Sequence, residues 1–159
     1  VQPGSIHFLL GYDRGEWVAR ARVTGFLASR DYVPMRGPAG ADWALLTLDQ
    51  AIGTPGRILP LQREAPPPRT AVMLGGYQQD RPEVLMADTE CRLLGLQRHA
   101  DGHQTLVHDC AGTRGSSGAP LLARGPDGAG WVVIGVMAAT SADIALGQAV
   151  PGAVVGPIP

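Results

Sequence analysis

Charge is scarce in this chain, and so are aromatic rings, cysteines and long apolar runs. Charged residues make up 17% of the 159 positions and the formal net charge is −1. A near-neutral chain with no basic cluster has no electrostatic footprint for nucleic acid or anionic lipid, so neither is expected as a partner. No apolar stretch approaches the about 20 residues of a helical membrane span, which points to a soluble protein. The opening Val1-Gln2-Pro3-Gly4 has no initiator Met, basic stretch or apolar signal core, as expected of a processed or excised product. The two cysteines, Cys91 and Cys110, permit a disulfide without requiring one. His99 and His103 flank Asp101-Gly102 with no evident third ligand, so no metal or cofactor is expected.

What is plentiful is punctuation. Glycine (22) and proline (14) leave no useful window for a helical apolar stripe, whereas short apolar and β-branched segments recur between turn residues. The expected strands are Ile6–Tyr12, Glu16–Leu27 and Trp43–Leu48. After a Pro-rich stretch come Thr70–Tyr77, Val84–Gly95, Gln104–Cys110, Ala119–Ala123, Trp131–Thr140 and Leu146–Val150. Spacings of roughly 10–15 residues suit an all-β barrel or sandwich. The chain thus divides into a first β unit over 1–59, a connector over 60–69 and a second unit over 70–159. Six strands can close a barrel; three leave an exposed edge, so the first unit needs a pairing partner outside this chain.

Two motifs carry chemistry. In Gly115-Ser116-Ser117-Gly118-Ala119-Pro120 the glycines permit a tight turn in which successive N–H groups converge on one point. Ser117 is the candidate nucleophile, and the N–H groups of Gly115 and Ser117 are candidate donors to an oxyanion. The Gly-x-Ser-x-Gly elbow of other hydrolases has a different spacing and leads into a helix. The second motif is Asp42-Trp43-Ala44-Leu45-Leu46. A carboxylate opening an apolar strand suits the orienting acid of a triad, though an exposed strand-start Asp is the plain alternative.

Taken together, the two motifs resemble those of the chymotrypsin-like serine peptidases, in particular the bacterial branch that includes the glutamyl endopeptidases. The resemblance implies a double β-barrel with its site between the barrels, the first incomplete here and the second six-stranded. It implies a serine endopeptidase acting on peptides or proteins, with Ser117 as nucleophile and Asp42 as orienting carboxylate. Ser116 stands where animal members carry an Asp that pairs with a freed N-terminus, so zymogen activation of that kind is not expected. The family's chain order is His, Asp, Ser, with small residues before the His. Only His7 precedes Asp42, in mid-strand and without that context, while His99, His103 and His108 all follow it. The expectation is a chain that begins just after its catalytic His and is nearly inert alone. The missing N-terminal segment is then a candidate partner.

Aligned on Ser117, the substrate pocket would be lined by Ala111, Gly112 and Thr113 on one wall and Val136, Met137 and Ala138 on the other. No carboxylate lies among them, so an apolar side chain is the consistent ligand. Cys91 and Cys110 fall on neighbouring antiparallel strands joined by a hairpin, close enough for a disulfide; two buried thiols are the alternative. A disulfide would suit a secreted or periplasmic protein. The competing function is a non-catalytic, protease-like domain that binds peptide or protein in the cleft.

Overall fold

The computed structural model describes residues 2–112, 114–141 and 143–155. A short 3-10 turn at Pro3–Ser5 leads into β1 (His7–Leu10), β2 (Ala19–Ala28) and β3 (Ala44–Leu48), which form one antiparallel sheet in the order β1-β2-β3. Six strands follow: β4 (Ala71–Gln78), β5 (Arg81–Arg98), β6 (Gln104–His108), β7 (Pro120–Arg124), β8 (Trp131–Ser141) and β9 (Leu146–Pro151). They close into a barrel in the order β4-β5-β6-β9-β8-β7.

Closure explains where the core lies. Every barrel strand has two hydrogen-bonded neighbours, so its alternate side chains share one interior. Val72, Leu74, Leu93, Leu106, Leu121, Ile134 and Ala149 fill it. The Cys91–Cys110 disulfide is present within that core, its Cα atoms 4.7 Å apart. The three-stranded sheet has no such enclosure. Of its strand residues only Ala21 and Val23 are buried, while Phe8, Phe26, Leu27 and Leu46 are each at least 41% exposed.

Among the described residues, several contacts hold the sheet to the barrel. A 3-10 turn at Ala39–Ala41 buries Gly40 and Ala41 against the β6 and β9 side of the barrel. The approach is close: a Cβ on Gly40 would lie 2.6 Å from the Gln104 carbonyl oxygen. Beside it, His103 Nε2 lies 3.3 Å from the Asp31 carboxylate. At the other end, Tyr77 donates its hydroxyl to the Tyr12 carbonyl at 2.5 Å, and the two rings meet edge to face. The Pro-rich stretch is also more than a tether. Leu61 bridges Val133 in parallel, Gln62 N–H donates to the Val133 carbonyl and Val133 N–H to that of Pro60, each at 2.8 Å.

The nine expected strands are all present, though β2 begins at Ala19, later than the expected Glu16, and β5 outruns the expected Val84–Gly95 at both ends, starting at Arg81. β5 runs on to Arg98 through Gly95. Gly95 has φ +153° and coincides with a register shift against β6, so it forms a bulge within the strand and does not end it. Among the described residues, no helix is long and apolar enough to cross a membrane.

Candidate active site

The loop that carries Ser117 is fixed at both ends before its geometry is set. At its entry Cys110 is bonded to Cys91 on β5, and the Asp88 carboxylate, also on β5, accepts the Ala111 N–H at 2.7 Å. At its exit Gly118 N–H donates to the Met137 carbonyl, and Met137 N–H to that of Ala119, both at 2.8 Å. Between these anchors Gln79 N–H holds the Arg114 carbonyl at 2.7 Å. Gly115 (φ +97°) and Gly118 (φ +85°) supply the left-handed turns that ordinary residues resist.

Ser116 is buried and Ser117 is exposed, which separates the two adjacent hydroxyls by their surroundings. The Ser116 carbonyl accepts the Ala119 N–H at 3.0 Å and closes the turn. Among the described residues, the N–H groups of Gly115 and Ser117 donate to no protein acceptor. Two adjoining donors beside an exposed hydroxyl can receive a developing oxyanion.

Asp42 follows the Ala39–Ala41 turn, its own N–H donating to the Ala39 carbonyl at 3.1 Å. It is exposed, and its carboxylate accepts no hydrogen bond from the described residues. A cavity of about 640 Å³ brings Asp42 together with Ser117 and Gly118, and its walls include Phe26, Tyr32, Trp43, Val136 and Met137. A second, strongly apolar cavity of about 560 Å³ reaches Ser117 from the other side, between Phe8, Leu59, Tyr77 and Leu85.

The expected substrate-pocket residues divide between cavities. Ala111 and Gly112 line a hollow of about 380 Å³ with Arg114, Thr140, Ser141 and Leu146. Met137 lines the Asp42 cavity instead; it is 2% exposed and its sulfur meets His108. β8 shifts register against β9 between Met137 and Ala139. Thr113 lies outside the described residues.

None of the four histidines lines the cavity shared by Asp42 and Ser117. The His7 ring lies 3.2 Å from the Arg20 guanidinium on the exposed face of β1 and β2. His99 Nε2 is 2.9 Å from the Thr105 hydroxyl, and His103 sits between Asp31 and Asp101, 3.3 Å from each. Asp101 accepts the His103 N–H, which holds its carboxyl below the usual range. His108 is fully buried in the barrel, where burial pushes its pKa down against the smaller opposing pull of Asp109 and Asp88. Among the described residues, no group of three or more His, Cys, Asp or Glu side chains could hold a metal ion.

No family model matches this chain, and no curated protein matches it significantly. Solved structures do match. A Glu endopeptidase superposes with a TM-score of 0.69 at 16% identity, covering 92% of this chain and 65% of the other. A thermostable serine protease, AL20, from an extremophilic microorganism gives 0.66 at 20% identity, covering 91% and 68%. An inactive form of Rv3671c from M. tuberculosis gives 0.56 at 16% identity, covering 84% and 60%. The chain therefore spans 60 to 68% of the length of these proteins. Its two sheets, one of them a closed ring of six strands, make up a chymotrypsin-like fold, and the structures it resembles are serine proteases.

Proposed function

We propose that this chain carries the nucleophile half of a serine endopeptidase site. In this reading Ser117 attacks the scissile carbonyl, the Gly115 and Ser117 N–H groups receive the oxyanion, and Asp42 orients the base and stabilises its imidazolium. One observation carries the reading. Asp42, just before β3, and Ser117, just before β7, are far apart in sequence yet line a single cavity. The substrate is a peptide or protein, and the hollow around Ala111, Gly112, Thr140 and Ser141 is the proposed seat for a side chain beside the scissile bond.

The base is a histidine supplied by sequence outside these 159 residues. The same segment would pair with the open β1-β2-β3 sheet and cover its apolar side chains. Without it Ser117 is an ordinary alcohol, and only the roughly 10³–10⁴-fold effect of an oxyanion hole and binding remains. The buried Cys91–Cys110 disulfide is what supports reading the protein as secreted or periplasmic.

A second reading, peptide binding without catalysis, is favoured by the lack of any histidine on the shared cavity. The parent reading frame separates the two. Small residues followed by His upstream of Val1 support the peptidase; continuous upstream sequence without a His removes it. Biochemically, the protein produced from that frame should react with a fluorophosphonate, and Ser117→Ala should abolish the reaction. Labelling that survives the substitution rejects Ser117 as the nucleophile.

A further inference from the structure

The hollow beside the Ser117 loop draws its lining from two kinds of backbone. Thr140 and Ser141 on β8 pair with Gly147 and Leu146 on β9, so a sheet ladder fixes them. Ala111 and Gly112 belong to no strand and must be held in another way. Gly112 rests against the barrel interior, where a Cβ would lie 3.1 Å from the Ser116 Oγ and 3.2 Å from the Leu74 side chain. Ala111 is held from β5. Its N–H donates to the Asp88 carboxylate at 2.7 Å, and the preceding Cys110 is bonded to Cys91.

Asp88 and Cys91 are three positions apart, a spacing that points side chains to opposite faces of an unbroken strand. Here the strand is interrupted. Between the Leu74–Asp88 and Val72–Cys91 pairs, Thr89 and Glu90 face Met73 alone on β4, and a bulge of this kind re-aims the side chains beside it. Asp88 serves bulge and loop together: its Oδ1 accepts the Glu90 N–H at 3.1 Å while its Oδ2 accepts that of Ala111. A short side chain with two accepting oxygens is what these two donors require. We infer that Asp88 is a positioning residue for substrate, setting through Ala111 the shape of the hollow that seats the side chain beside the scissile bond. The inference rests on the reading of Ser117 as the nucleophile and of this hollow as that seat.

Asp88→Ser separates the two duties. Its hydroxyl can still accept the Glu90 N–H two residues on, as serine does in turns, but it has no second oxygen and falls short of Ala111. In the 159-residue chain, the Ala111 amide proton should exchange with solvent at least about tenfold faster in this variant, the scale of one hydrogen bond to a charged group. The Glu90 amide should change little. Substrate placement is read on the protein produced from the parent reading frame, with N-acyl p-nitrophenyl esters of glycine, alanine, leucine, phenylalanine, glutamate and lysine. The glycine ester has no side chain to place in the hollow, so it reports the reaction without the seat.

For the ester that the wild type prefers, Asp88→Ser should lower kcat/KM by about tenfold, and for the glycine ester by less than about twofold. Asp88→Asn, which keeps one accepting oxygen at full reach, should retain more of the selectivity. A merely structural role would lower both esters alike. Equal losses, no loss for either ester, the reverse order of the two variants or an unchanged Ala111 amide each overturn the inference. So does a wild type that hydrolyses the glycine ester as fast as any other. Failure of the underlying reading looks different: hydrolysis that is absent from the wild type, or that survives Ser117→Ala, removes the nucleophile and the positioning role with it. Hydrolysis that needs Ser117 yet ignores Asp88→Ser removes the positioning role alone.

Discussion

His108 Nε2 lies 3.3 Å from the sulfur of Met137 in the interior of the barrel, while its Nδ1 accepts the Cys110 N–H at 3.2 Å. The second contact assigns the proton to Nε2, so the ring is a neutral tautomer donating to sulfur. It thereby joins the strand that enters the Ser117 loop to the strand that borders the Asp42 cavity.

This neutral state makes stability depend on pH. Burial lowers the folded pKa of His108 from its ordinary value of 6.5. As pH falls through about 6.5, the unfolded chain takes up a proton that the folded barrel refuses. The contribution is therefore level above that pH and declines below it, by at most about 1.4 kcal/mol per pH unit for one group. Urea unfolding at a series of pH values from about 8 to 5 should show this decline, and His108→Leu should flatten it. An equal slope in the variant would show that other groups carry it. Titration of the His108 ring followed by NMR gives the same answer without a substitution.

Two glycines of the Ser117 loop should respond differently to alanine. At Gly118 a Cβ meets nothing within 4 Å, so only the φ of +85° is strained, at a cost of about 1–2 kcal/mol. At Gly115 the same kind of strain is joined by a Cβ 2.8 Å from the Gln79 backbone nitrogen, the group that holds the Arg114 carbonyl. Gly115→Ala should be the more destabilising by thermal unfolding, and it should shift the Gln79 amide resonance whereas Gly118→Ala should not.

How much of this was readable in the sequence follows from the range of each interaction. The strands were legible because Gly, Pro and Asp bound nearly every one, and the paired cysteines because a hairpin joins their strands. The motifs around Asp42 and Ser117 pointed to a common site across the whole length between them. Gly95 misled, because a glycine that ends a strand and one that makes a bulge are alike in sequence. The Asp88 carboxylate beneath Ala111 left no local signal; only the fold of β5 against the loop entry brings them together. The division of Ala111 and Met137 between two cavities is set by tertiary packing, which neighbouring residues do not announce.

The Cys91–Cys110 bridge spans 19 positions and closes the β5–β6 hairpin just before the Ser117 loop. Intact mass under denaturing conditions should rise on reduction by the mass of two hydrogens. Replacing both cysteines with alanine should cost about 2–4 kcal/mol, the usual range for a bridge that restrains the unfolded chain. Loss of less than about 1 kcal/mol would mean that hydrogen bonding and packing alone hold the hairpin.

The joint beside Asp42 offers a choice between charge and shape. The Asp31 side chain is 70% exposed, so its contact with His103 is screened by water and worth at most about 1 kcal/mol. Gly40 is buried beneath it, and a Cβ there would overlap the Gln104 carbonyl and press on the His103 Cβ at 3.0 Å. Both contacts lie on the barrel, so relief requires the Ala39–Ala41 turn to lift away and carry Asp42 with it. Gly40→Ala should therefore destabilise by about 1–3 kcal/mol, the usual scale of overpacking, whereas Asp31→Ala should be close to neutral. The Trp43 indole, on the wall of the same cavity, reports the displacement: its fluorescence should shift in Gly40→Ala and stay unchanged in Asp31→Ala. The reverse order of effects would assign the joint to the ion pair and not to the close approach of the backbones.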